Sequence, residues 1–182
     1  FALLFALVAG LGLFVRRERR QAERRARNLR ALFEVSRQAT ANLDRQQVLE
    51  VVVQAAQDVM GYHMASILLL DEPAQEVVAA AVSTNLRDRI PRCDRGPGGR
   101  GRTGAAAQTG QTQLANDVRG SLTYFRAAGD WDPGSEISVP LKNADATLGV
   151  LDVEDERREV FGPGDVQVLE ALAARNLQAV EQ

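Results

Sequence analysis

The residues best suited to chemistry fall in four places along the 182-residue chain. The first is a glycine-rich stretch. Gly96-Pro97-Gly98-Gly99-Arg100-Gly101 fits the GxGxxG pattern of a dinucleotide site, with Asp117 about twenty residues further on, where such a site places its ribose-binding acid. That pattern needs a buried strand running into its first glycine, and Arg92-Cys93-Asp94-Arg95 is no such strand. From Gly96 to Thr103 (GPGGRGRT) the stretch nearly fits a P-loop, with Arg102 in place of the lysine. Leu148 to Asp152 (LGVLD) imitates the apolar strand that ends in a magnesium-binding Asp. Arginine cannot set a compact ammonium between phosphates, and hairpin neighbours contradict the parallel sheet of that fold. We read the stretch as a mobile glycine loop at the rim of a pocket.

The other three places carry nucleophiles and metal-type ligands. Cys93 lies between Arg92 and Arg95, whose cations favour its thiolate, yet no histidine stands near it in sequence. It reads as an incidental exposed thiol, with a redox role as the alternative. His63 opens a strand after Gly61-Tyr62 and reads as packed or partly exposed rather than as a ligand. One cysteine and one histidine exclude an intramolecular disulfide and the usual Cys/His metal clusters. Asp152, Glu154, Asp155 and Glu156 form a carboxylate run. Strand alternation separates Asp152 from Asp155, and the last three read as a solvated strand end. The run lacks the spaced glycine and terminal Glu of an EF-hand loop. We assign no catalytic residue, no metal ligand and no named cofactor, and expect no enzyme.

Charge divides the chain more sharply than the net of −2 suggests. Residues 1–15 (FALLFALVAGLGLFV) carry no polar side chain, while Arg16 to Arg30 hold eight Arg against Glu18 and Glu23. The rest has 14 basic and 22 acidic residues, so the folded part is acidic and a nucleic-acid partner is not expected. The apolar run, about 22 Å long as a helix, is shorter than a hydrocarbon core of roughly 30 Å. The chain opens on Phe1, and we read residues 1–15 as a transmembrane segment shortened at its start. Residues 16–31 then form an Arg-rich juxtamembrane helical linker. The positive-inside rule sets everything after residue 15, including the domain over residues 32–182, in the cytoplasm.

The elements that must position these residues emerge from periodicity. Leu29, Leu32, Ser36, Ala39 and Leu43 repeat at 3-4-3-4, the seam of a helix that pairs with another, either within the domain or across a homodimer. Asp44 caps a second helix with its apolar face at Val48, Leu49, Val52, Ala55, Ala56, Val59 and Met60, which Gly61 stops. Met64–Leu70 and Glu76–Val82 form a hairpin. Ala105–Thr109 form a short helix and Gln111–Ala115 a strand, before a polar loop over 116–135. Glu136–Lys142 and Leu148–Val153 form a second hairpin turned by Asn143-Ala144-Asp145, and Pro163 opens a final amphipathic helix. The order predicts an α+β fold with a mainly antiparallel central sheet. The N- and C-terminal helices pack on one face, and loops plus a short helix cover the other. A ligand pocket belongs between the sheet and those loops.

Residues 32–182 resemble a GAF domain, the small-ligand sensory module of bacterial signalling proteins. Ser135 to Leu172 carries most of the likeness, with Val139-Pro140-Leu141 on one strand and Gly149-Val150-Leu151-Asp152-Val153 on the next. Phe161 and Asp165 stand where that family begins its last helix. Gly101 to Gly110, Gln113-Leu114 and Asn116-Asp117-Val118 look like its helix, strand and loop. The resemblance implies a sensor or dimerisation module. Departures from subfamily patterns narrow the ligand. The Asn-Lys-Phe-Asp-Glu signature of cyclic-nucleotide binders is absent, and Cys93 is followed by Asp94 rather than the His of bilin attachment. Members that reduce free methionine sulfoxide use several cysteines, and haem has only His63. The layout offers Asp117, Tyr124, Phe125, Trp131, Glu136 and Ser138 as ligand-binding candidates. A structural or dimerisation module without ligand, and a thiol-based redox sensor or reductase using Cys93, are the alternatives.

Overall fold

The computed structural model describes residues 2–39, 44–71, 76–83, 96–97, 101–119 and 131–180. Helix α1 (Ala2–Ala39) is followed by α2 (Arg45–Gln54), which continues into a π-helical turn (Ala55–Val59). Then come strands β1 (Met64–Asp71), β2 (Glu76–Val82) and β3 (Gly96–Pro97), helix α3 (Gly101–Thr109), and strands β4 (Gln113–Ala115), β5 (Ser135–Lys142) and β6 (Thr147–Asp155). Helix α4 (Pro163–Val180) ends the fold. The sheet has the order β3-β2-β1-β6-β5-β4, and every neighbouring pair is antiparallel. This is the expected α+β arrangement. The central strands are β1 and β6, so the second hairpin inserts beside the first rather than extending it.

Local chemistry accounts for the boundaries. Asp44 caps α2 reciprocally: its carboxylate accepts from Gln47 N at 2.9 Å, while Gln47 Oε1 accepts from Asp44 N at 3.1 Å. Gly61, at φ +78°, reverses the chain where a side chain would be strained. Asn143 Oδ1 accepts from the backbone N of Asp145 and Ala146, holding the β5–β6 turn. At Gly149 the closeness of β1 matters instead, since a Cβ there would lie 2.4 Å from Leu68 O.

The core fills the helical face of the sheet. Ala65, Ile67, Ile137, Val139, Leu141, Leu151 and Val153 meet Leu49, Val52, Ala56, Leu169 and Leu172 from the helices, all at 4% exposure or less. Fully burying such side chains contributes roughly 1.5–3 kcal/mol each. The opposite face is covered by α3, whose Ala106 and Ala107 pack on Val77 and Val150. Gly101–Gly104, expected in the glycine loop, form the first turn of α3, while Gly96 and Pro97 pair with β2.

Helix α1 joins the apolar run to the Arg block without a break. No helix among the described residues is long and apolar enough to cross a membrane. The transmembrane expectation therefore finds no support in this helix. Nor is the Arg block a linker solvated throughout. From Arg24 onward α1 docks on the domain through Arg24, Asn28 and Ala31, with Leu32 partly buried. Of the expected seam, Leu32 packs on the domain core and Leu29 is 68% exposed, while Leu43 lies outside the described residues.

Candidate functional site

Strand register builds the site. Across β1, β6 and β5, Met64, Glu154 and Glu136 share one row, and Ser66, Asp152 and Ser138 share the next. Since the period of a strand is two, these residues point away from the helices while Ala65, Leu151, Val153, Ile137 and Val139 fill the core. The consequence is three carboxylates on one face. Glu136, Asp152 and Glu154 each offer an oxygen within 4.8 Å of the others, and all three side chains are buried.

Donors surround this group. Ser138 Oγ donates to Asp152 Oδ1 at 2.6 Å, and the hydroxyl of Thr103 also bonds Asp152. The indole N–H of Trp131 donates to Glu154, and the Arg102 guanidinium donates to Glu136 Oε2 at 3.2 Å. These contacts do not keep all three groups ionised. Burial, then the neighbouring Asp152 charge, pushes Glu136 up to about 8 despite Arg102 and Ser138. Burial raises Asp152 to about 6 against the pull of Ser138, Thr103 and Arg102. Glu154 is held well above the carboxylate range by burial and by both other acids. Among the described residues Arg102 is the cation that touches the group. The raised values mean that the group holds protons near neutral pH, which a cationic guest would have to displace. Carboxylate oxygens in this number suit either a hard divalent ion or a protonated amine.

Glu154 and Asp155 are consecutive but face opposite ways. Asp155, fully buried on the helical face, takes both arms of Arg157 at 2.8 Å and His63 Nδ1 at 3.0 Å. Burial opposes its charge, yet Arg157 and His63 hold its carboxyl below the usual range. Alternation thus separates Asp152 from Asp155 as expected, but the solvated strand end does not hold: Glu154 and Asp155 are buried, and only Glu156 is exposed. A cavity of about 330 Å³ opens where α1 meets the π-helical turn, lined by Arg24, Asn28, Tyr62, Arg157 and Asp165 among others.

Of the expected ligand residues, Trp131, Glu136 and Ser138 come together. Asp117 does not join them. Its exposed carboxylate pairs with Arg158 at 3.3 Å and accepts from Arg119 N, because Asn116 ties that loop to Phe161 on the far edge. Tyr124 and Phe125 lie outside the described residues, as does Cys93. Sequence reasoning missed Asp152, Glu154, Arg102 and Thr103. A signal existed for the first two, since strand alternation sets Asp152 and Glu154 on one face. Their pairing with Ser138 and Glu136 cannot be counted from the Asn143 turn, because the register shifts by one between Leu141 and Lys142. No local signal brings α3 over them.

Residues 42–181 match the GAF domain family, and the chain belongs to it. No curated protein matches the chain in sequence. Among solved structures, the GAF domain of an Acinetobacter phosphoenolpyruvate-protein phosphotransferase superposes with a TM-score of 0.75 at 19% identity. That match covers 84% of this chain and 92% of the other. The corresponding domain from Coxiella burnetii gives 0.77 at 18% identity, over 86% and 94%. The free methionine-R-sulfoxide reductase of Neisseria meningitidis, solved with its substrate, gives 0.71 at 25% identity, over 81% and 84%. The GAF fold is a sensory and regulatory one, and this chain shares it.

Proposed function

We propose that this GAF domain is a sensor whose pocket binds a small ligand through a cationic group, seated on Glu136, Asp152 and Glu154. The observation that carries the reading is the set of three buried carboxylates with Arg102 as their described counter-cation. Buried acids of this kind hold protons when nothing else compensates them, and a cationic guest can take the place of those protons. Free methionine sulfoxide, whose reductases share the fold, carries an ammonium and is the natural first probe. We read this chain as a binder of such a molecule rather than its reductase. Reducing a sulfoxide takes two electrons, which two thiols supply by forming a disulfide, and the chain has the single Cys93.

The experiment is calorimetric titration with methionine-R-sulfoxide and with its analogue lacking the amino group. Binding of the first alone, lost in Glu136→Gln, supports the reading. Equal binding of both, or of neither, refutes it.

In the cell the reading includes attachment to a membrane by the apolar start of α1. There Leu13 and Phe14 are more than 60% exposed and stand directly before Arg16 and Arg17, which leaves the sensory domain cytoplasmic. Ligand occupancy would act on a homodimer through α1 and α4. Sedimentation with vesicles of phosphatidylglycerol checks the attachment. Failure to sediment when Leu13 and Phe14 are intact counts against it.

A further inference from the structure

We infer that Arg102 is the resident counter-ion of the acidic pocket and sets its selectivity: a ligand's cation enters by displacing the guanidinium from Glu136. The inference rests on the reading of the pocket as a cation site and adds what guards it.

The geometry points to Arg102 from three directions. Its side chain is only 15% exposed, and Nη1 lies 3.2 Å from Glu136 Oε2, so a cation from a separate element already occupies the site. The next residue, Thr103, bonds Asp152, so two successive residues in the first turn of α3 grip two of the three carboxylates. The third, Glu154, is held from elsewhere by Trp131. The acids are thus shared between α3 and Trp131, with α3 entering after Gly101 at φ +65°.

Guanidinium and ammonium are not equivalent guests. The guanidinium is broad and planar, whereas an ammonium is a compact charge with donors in three directions. A primary ammonium can lie among oxygens that are all within 4.8 Å of one another, whereas the guanidinium engages Glu136 at one edge of the group. Exchange of one cation for the other never leaves the acids uncompensated, which keeps the barrier to entry low. Displacement also frees the first turn of α3 from Glu136. Arg102, which the sequence aligned with a phosphate-binding lysine, thus serves an acidic site instead.

The test uses the full chain with methylammonium, guanidinium and methionine sulfoxide as probes. Arg102→Ala is expected to bind methylammonium about tenfold more tightly than the parent protein. It should also gain melting temperature from millimolar guanidinium, which leaves the parent unchanged, and Arg102→Lys should return both readouts toward the parent. Arg102→Gln, which keeps an amide donor for Glu136, serves the same comparison if the alanine variant does not fold. Methylammonium binding that is unchanged or weaker overturns the inference, as does an absence of guanidinium rescue. If the parent binds methionine sulfoxide and the Arg102 variants bind it less, Arg102 holds the ligand; the counter-ion role then falls while the cation pocket stands. If no cation binds any of the proteins, both fall together.

Discussion

Replacing Glu136 by Gln should make the unliganded protein more stable while removing its cation binding. The carboxyl is held at about 8 in the fold against an ordinary value of 4.5, chiefly by burial and secondly by Asp152. An acid whose pKa is raised by folding contributes nothing unfavourable below its unfolded value and becomes a growing burden as pH rises toward the folded one. At pH 7 the interval above 4.5 is about 2.5 units, a ceiling of about 3 kcal/mol at 1.36 kcal/mol per unit. The amide of Gln has no such burden, and its oxygen can still accept from Arg102. Because Asp152 and Glu154 share the field and readjust, we expect a gain of about 2 kcal/mol at pH 7, or roughly 4–8 °C in melting temperature. The gain should shrink below about 1 kcal/mol at pH 5 and widen as pH approaches 8. Circular dichroism melts of both proteins from pH 5 to 8 measure it. A Glu136→Gln protein that is less stable at pH 7, or a gap that ignores pH, would refute this electrostatic picture of the site.

The same geometry sets two further outcomes. Cation binding should expel protons from Glu136 and Asp152, so affinity should climb between pH 6 and 8, by up to about tenfold per pH unit for each proton released. Calorimetry in buffers of different ionisation heat counts those protons, and a flat profile contradicts the shared-proton site. Gly149→Ala should cost about 1–3 kcal/mol in a denaturant melt, because its Cβ would meet Leu68 O at 2.4 Å across the β1–β6 pairing. A neutral result would mean that the two strands leave room for a methyl group there.

The elements were legible because their signals are local. The Asp44 cap, the Gly61 stop, the Asn143 turn and Pro163 each act within a few residues, and each stands at an element boundary in the fold. Alternation likewise sent Asp152 and Asp155 to opposite faces. What misled was reading polar residues near a strand end as solvated. Glu154 is covered by Trp131, 23 residues before it, and Asp155 is held by Arg157 and His63. The docking of Asn28 is likewise non-local: its amide donates to Gly164 O, 136 residues away.

Composition and short-range spacing sufficed for the order and kind of the longer elements and for the charge asymmetry between the chain's start and its domain. They could not show that Glu136, Asp152 and Glu154 share one buried group, or that Arg102 answers them; that took the folded chain. Carboxylates eighteen residues apart and a helix more than thirty residues away from them meet through sheet register and packing, which no local pattern encodes.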